Sequence, residues 1–197
     1  MDWDIIDSYA RKNGGFIRAA VLKDWGIDYR GVQRLIRDKK LDKVKNGLYK
    51  LADFNLSEEE LLSGLFPDGV LCMNSALYYH GYIDYAPANW CIAISKDTSK
   101  SRFKIEYPYV KPFYMEESQL FIGAEKQFLG GSKMWIYNKE RTICDCLKYE
   151  TKMDRVVFNS AIKSYIADPN KNGKLLLEYA SKRRIYNKVK DVLGIWI

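Results

Sequence analysis

The spacing of apolar positions changes character along the chain. Near the start, Trp3, Ile6 and Tyr9–Ala10 make a helical stripe over residues 2–12. Asn13-Gly14-Gly15 ends it, because glycine readily takes the left-handed conformation that closes a helix. Phe16 and Ile17 lead into a short helical pattern over residues 18–23, and Gly26 marks a sharp turn. In the next pattern Val32, Leu35 and Ile36 fall at i, i+3, i+4, an apolar face for packing. Asp28 stands where an N-cap accepts from a free N–H of the first turn. Leu41, Lys43 and Lys45 then alternate with Asp42 and Val44, the period of a strand. Asn46-Gly47 closes a hairpin, and this pair favours a type I′ turn with positive φ at both positions. Helix, tight turn, helix and two-stranded wing is the order of a winged helix-turn-helix. Asp53 to Leu56 reads as a linker, so the expected domains are residues 1–54 and 55–197.

Beyond the linker, Ser57 and Glu60 have the spacing of a capping box that opens a helix. Val70–Met73 is a short apolar run, and residues 74–81 read as one short helix closed by Gly81. Trp90–Ser95 is a strand pattern, and Phe103, Ile105 and Tyr107 alternate with polar residues as a second would. Pro112 limits residues 109–114 to an edge strand or a loop. Leu120–Ala124 and Met134–Tyr137 are further strand expectations, with Gly130-Gly131 turning between them. From Glu140 the helical period returns in four stretches, marked by Ile143 and Leu147, Val157 and Ala161, Leu175 to Tyr179, and Val189 and Leu193. A small sheet packed by helices predicts an α+β domain behind the winged one.

The polar positions add chemistry to this outline. Arg30, Gln33, Arg34 and Arg37 fall at i, i+3, i+4, i+7, opposite the apolar face of their helix. Arginine forks onto guanine O6/N7 and glutamine onto adenine N6/N7, so such a ridge suits a major groove. Tyr29, Lys39, Lys40, Lys43, Lys45 and Asn46 flank it, with Lys43 and Lys45 near the wing tip where phosphates would lie. Lys182, Arg183, Arg184, Lys188 and Lys190 form a second basic cluster, placed to contact flanking DNA. The alternative is a solvated helix face.

Charge sharpens the outline. The 197 residues hold 32 Lys+Arg against 25 Asp+Glu, a net charge of +7 and a pI near 9.1. Residues 1–54 carry 12 basic and 8 acidic side chains, residues 55–147 carry 9 and 12, and residues 148–197 carry 11 and 5. Positive charge therefore collects at the two ends, which favours an anionic partner there. Met1-Asp2-Trp3-Asp4 is acidic and no long apolar run follows, so neither a signal peptide nor a membrane span is expected. Cys72, Cys91, Cys144 and Cys146 lack metal or redox spacing and read as reduced, buried thiols of a cytoplasmic protein. No metal or cofactor is expected.

Enzyme motifs are weak. His80 is the single histidine, which leaves no histidine triad, and no phosphate-binding glycine loop is present. Asp145, Glu150 and Lys152 have residue types that a metal-dependent nuclease uses, but Asp145 and Glu150 are poorly spaced on a helix for one metal. The expectation is a protein without catalytic activity.

Three segments together resemble the AbiEi family of abortive-infection antitoxins. The first is GGFIRAAVLKDWGIDYRGVQRLIRDKKLDKVKNGLYKL, a helix-turn-helix followed by a basic hairpin with the Gly-x-Tyr of Gly47-Leu48-Tyr49. The second is Ser75-Ala76-Leu77-Tyr78-Tyr79-His80-Gly81, and the third is Glu140-Arg141-Thr142-Ile143-Cys144-Asp145-Cys146-Leu147. The resemblance implies an N-terminal domain that represses its own operon by binding inverted repeats in the promoter. It implies a C-terminal domain that counteracts a nucleotidyltransferase-like toxin encoded next door, without a stable complex, as in type IV toxin–antitoxin systems. Ser75, His80, Glu140, Arg141 and Asp145 are then either functional or structural, with Arg141 paired to a carboxylate and Glu140 capping a helix in the structural case. A stand-alone winged-helix regulator with a ligand-sensing C-terminal domain is the other reading of the same outline.

Overall fold

The computed structural model describes residues 3–105 and 107–197. The chain is α+β and divides into two compact units, residues 1–66 with 129–132, and residues 67–128 with 133–197. The linker expected at Asp53 to Leu56 lies inside the first of these units, which also takes in the helix after it.

The first unit runs α1 (Trp3–Lys12), β1 (Phe16–Arg18), α2 (Ala19–Asp24), α3 (Tyr29–Arg37), β2 (Leu41–Lys45), β3 (Leu48–Leu51) and α4 (Glu58–Leu65). Its three strands pair antiparallel in the order β1-β3-β2. Phe16 and Ile17 are therefore not a helical lead-in. They form a strand opposite Lys50 and Tyr49, and both are buried. Local spacing hid this, because three residues are too few to show a period and the partner strand lies far along the chain. Ile6, Ala10, Ile17, Leu22, Val32, Leu41, Tyr49 and Leu51 make one core, so Tyr49 of the Gly-x-Tyr segment is a packing residue.

The hairpin also differs from expectation. Gly47 has a φ of 78°, but Asn46 is not among the residues with positive φ, so the turn is not type I′. A shift in register between Lys43 and Lys45 accompanies it. Such a bulge adds local twist, which a turn of this kind needs to keep the strands paired. Ser57 and Glu60 form the expected capping box at α4, with Glu60 N–H to Ser57 Oγ at 3.2 Å and Ser57 N–H to Glu60 Oε2 at 2.8 Å.

The second unit runs β4 (Val70–Leu71), α5 (Met73–Tyr79), β5 (Trp90–Ser95), β6 (Val110–Met115), α6 (Glu117–Leu120), β7 (Ala124–Leu129), β8 (Ser132–Tyr137), α7 (Lys139–Lys148), α8 (Arg155–Ala167), α9 (Gly173–Lys182) and α10 (Tyr186–Leu193). Its five-stranded sheet has the order β6-β5-β4-β8-β7, with β6 parallel to β5 and β8 parallel to β4. Pro112 is tolerated because β6 is an edge strand. No strand runs through Phe103, Ile105 and Tyr107. Lys100–Phe103 is a 3-10 turn instead, and Glu106 lies outside the described residues. Ser99 accepts from Ser101 N–H and Arg102 forks onto Asp68, so local polar contacts outcompete the alternation. Leu120–Ala124 is likewise not a strand: Leu120 ends α6, and β7 begins only at Ala124.

Ile143, Cys144, Cys146 and Leu147 of α7 are buried against Val157, Ala161, Tyr165, Leu176 and Val189 of the other helices. All four cysteines are free and buried. Burial pushes the Cys144 thiol up to about 12, which makes it a poor nucleophile. Among the described residues no helix is long and apolar enough to cross a membrane.

Asp168 ends α8 and ties it to two other segments. It accepts from Lys139 Nζ at 2.5 Å and from Tyr82 Oη at 2.7 Å. Lys139 first, then Tyr82, holds its carboxyl at about 2. The folded value lies below the unfolded one, so this contribution is complete above about pH 4 and is lost as pH falls towards 2. Asp168→Asn is expected to flatten the fall in urea midpoint over that window relative to the natural chain, and parallel acid titrations of the two proteins check it.

Candidate nucleic-acid interface

α2 and α3 are joined through two helix-end devices that follow each other directly. At the end of α2, Gly26 has a φ of 79°. Its N–H donates to Lys23 O at 2.8 Å, and Ile27 N–H donates to Leu22 O at 2.8 Å. These two bonds make a Schellman motif, which needs the left-handed residue that glycine supplies. Asp28 then starts α3, its Oδ1 accepting from Gly31 N–H at 2.8 Å. α3 ends on a second Schellman motif, with Lys39 N–H to Ile36 O at 3.0 Å and Lys40 N–H to Leu35 O at 2.9 Å. Here a lysine, Lys39, takes the left-handed conformation with a φ of 53°.

Between these stops α3 divides cleanly by face. Val32 is buried and Leu35 and Ile36 are half-buried, packed on the core of the first unit. Tyr29, Arg30, Gln33, Arg34 and Arg37 are exposed. Tyr29 is 74 % accessible, so the helix begins on a free aromatic ring. Arg30 and Arg34 have no ion-pair partner among the described residues, and Arg37 has only a long contact of 3.8 Å to Asp38. The ridge expected from the heptad-like spacing is thus present as an exposed, uncommitted cationic face.

The flanking residues are less uniform. Lys39, Lys43 and Asn46 are exposed. Lys40 is half-buried with its ammonium 4.8 Å from the centroid of the Trp3 ring. Lys45 is half-buried with its ammonium 5.7 Å from the Phe66 ring. Both therefore sit in cation–π contacts, which spacing along a strand does not reveal.

The second basic cluster does not form one exposed patch. Arg183 is only 4 % accessible and is ion-paired with Asp145 at 2.8 Å. It is withdrawn from the surface because the chain turns inward at the end of α9 and a buried carboxylate awaits it. Lys182 pairs with Glu178 at 2.6 Å and Lys188 with Glu150 at 2.9 Å. Arg184 and Lys190 are exposed.

Residues of the two shorter motifs are engaged in packing. Ser75 Oγ accepts from Cys91 N–H at 2.8 Å and is buried. His80 donates its Nε2–H to Tyr137 O at 2.7 Å, and burial lowers its pKa below the ordinary imidazole value. Glu140 Oε1 accepts from Asn172 N–H at 2.9 Å, and Asn172 in turn caps α9 by accepting from Leu175 N–H. Arg141 is fully buried. It pairs with Asp145 at 3.0 Å, donates to Gln119 O at 3.0 Å and Ile122 O at 2.6 Å, and lies 4.2 Å from the centroid of the Tyr137 ring. Asp145 is thereby held between two guanidiniums. No group of three or more His, Cys, Asp or Glu residues suited to a metal is found among the described residues.

The chain shares its fold with a protein of known structure. A crystal structure of the RV2827C protein from Mycobacterium tuberculosis superposes with a TM-score of 0.68 over 98 % of this chain and 77 % of that one, at 14 % sequence identity. The likeness is one of fold. No family model and no curated protein matches the chain.

Removal of Asp145 would leave Arg141 and Arg183 buried and facing each other. Asp145→Ala is expected to destabilise the protein by about 3–5 kcal/mol, the usual scale for an orphaned buried charge. Chemical denaturation at neutral pH measures it, and a loss below about 1 kcal/mol would show that water or another group replaces the carboxylate.

Proposed function

We propose that residues 3–54 are a winged helix-turn-helix that binds duplex DNA, and that the protein is an AbiEi-type antitoxin that represses its own operon. The observation that carries the first half is the α3 ridge. Arg30, Gln33, Arg34 and Arg37 share one exposed face on a helix whose other face is packed and whose two ends are fixed. Side chains without internal partners approach phosphates or base edges with no pair to break. Lys39, Lys43 and Asn46 add exposed donors next to the ridge. Phosphate contacts from these residues supply affinity, and Arg or Gln forks on base edges supply sequence preference.

The antitoxin half rests on the order of the three motif segments and on an appended α+β unit with its own core. Its partner is a nucleotidyltransferase-like toxin, opposed without a stable complex. The engagement of His80, Glu140 and Asp145 in structural contacts supports a non-catalytic role for this unit.

Affinity for a promoter duplex is expected to fall with salt, with a log–log slope of roughly −0.9 per phosphate neutralised. Arg34→Ala should weaken specific binding by about 1–3 kcal/mol. Fluorescence anisotropy across a salt series reads both, and equal affinity for variant and natural chain would remove Arg34 from base reading. Co-expression with the adjacent gene tests the second half. The full chain should restore growth, and Arg30→Ala/Arg34→Ala should restore growth while losing repression. Repression without any rescue would favour a stand-alone regulator.

A further inference from the structure

A polar pocket of about 550 Å³ opens in the second unit, where β6 and α6 meet the ends of α7 and α9. Its size falls within the roughly 300–1,000 Å³ of small-molecule sites. Its walls include Lys148, Lys182, Arg183 and Arg184, together with Ser118 and Gln119. We propose that it binds a small phosphomonoester, of the size of a mononucleotide, through Lys148, Arg183 and Arg184.

Charge balance selects this ligand. Asp145 is the carboxylate paired with both Arg141 and Arg183, and all three are buried, so this cluster holds one positive charge in excess. Uncompensated charge away from water is costly unless a counter-ion reaches it. Arg183 is the member of the cluster that lines the pocket, and its Nη2 lacks a well-aligned hydrogen bond despite lying 2.8 Å from Asp145. Lys148 donates to Arg183 O at 3.1 Å and pairs with no carboxylate among the described residues. Arg184 is exposed and likewise has no such partner. The remaining cations are answered, Lys96 by Glu116 at 2.9 Å and Lys182 by Glu178 at 2.6 Å.

Helix ends do not cancel this excess. α7 and α9 both end at the pocket, and each C-terminus contributes about half a negative charge. Three unanswered positive charges less this amount leave about two, which matches a phosphomonoester dianion. Lys148 reports the same field. Burial lowers its pKa first, and Arg183, Arg141 and Arg184 act in the same direction, against Asp145. Arg184 also holds a left-handed φ of 58°, at the position of a Schellman motif that glycine usually fills. Its N–H donates to Ser181 O at 3.1 Å and Ile185 N–H to Ala180 O at 2.9 Å. Tyr114 and Tyr149 in the wall offer aromatic surface for the organic part.

Binding at this pocket is independent of the DNA reading and is tested on the full chain by titration calorimetry at constant ionic strength. Inorganic phosphate and adenosine monophosphate are the probes, with chloride as the baseline. Saturable binding at one site per chain is expected, weakened about tenfold or more by Lys148→Met and by Arg184→Ser. Lys163→Ser, on the exposed face of α8, should leave it unchanged. Both pocket variants keep Arg183 and Asp145, and circular dichroism verifies their folding. Heat that follows ionic strength without saturating would overturn the proposal, as would natural affinity in both variants. Binding of duplex DNA at the pocket with neither small probe bound would overturn it too, by assigning the charge to a polymer.

Discussion

One carboxylate shared by two guanidiniums organises the second unit. Asp145 sits on α7, Arg141 one turn before it, and Arg183 just past the end of α9. Arg141 reaches further, to the carbonyls of Gln119 and Ile122 and to the Tyr137 ring. The network thus pins α7, α9, the α6–β7 turn and the end of β8 to a common point. A buried ion network of this kind adds little net stability over an apolar core, yet breaking any member is costly, and that asymmetry fixes one arrangement of the elements. Its imbalance of one positive charge also sets the electrostatic character of the pocket beside it.

The neighbouring motif residues serve the same assembly. Glu140 holds Asn172 at the start of α9, and Thr142 and His80 both donate to Tyr137 O. The Glu-Arg-Thr…Asp and Ser-Ala-Leu…His-Gly segments are therefore the joints of the unit. Such residues resemble catalytic ones in sequence because both are polar groups in apolar surroundings. Only their partners distinguish a satisfied joint from a free acid or base.

The first unit obeys a simpler rule. Its α2–α3 corner is set by two consecutive local devices, a left-handed Gly26 and an Asp28 cap, and neither needs distant contacts to form. The corner in turn leaves Arg30 and Arg34 exposed, because Val32 can reach the core only from the opposite side of the helix. Exposure of the ridge is a consequence of packing on the other face, not of any attraction of its own.

What the residues alone determined was local. The helix ends at Gly26 and Gly81, the caps at Asp28 and Ser57, the apolar faces of α3 and α7 and the glycine turn between β7 and β8 all arise within a few positions of the chain. The same locality makes the α3 ridge legible from residue spacing alone. What tertiary contacts decided was pairing across distance. They recruited Phe16–Arg18 into a sheet with β3, laid Lys40 and Lys45 on aromatic rings, and drew Arg183 inside. The pocket needs residues from 96 to 184 brought together, and no spacing in the chain announces it. Short-range order follows from backbone preference and period, whereas the fate of a long cationic side chain depends on which carboxylate or ring folding places within its reach.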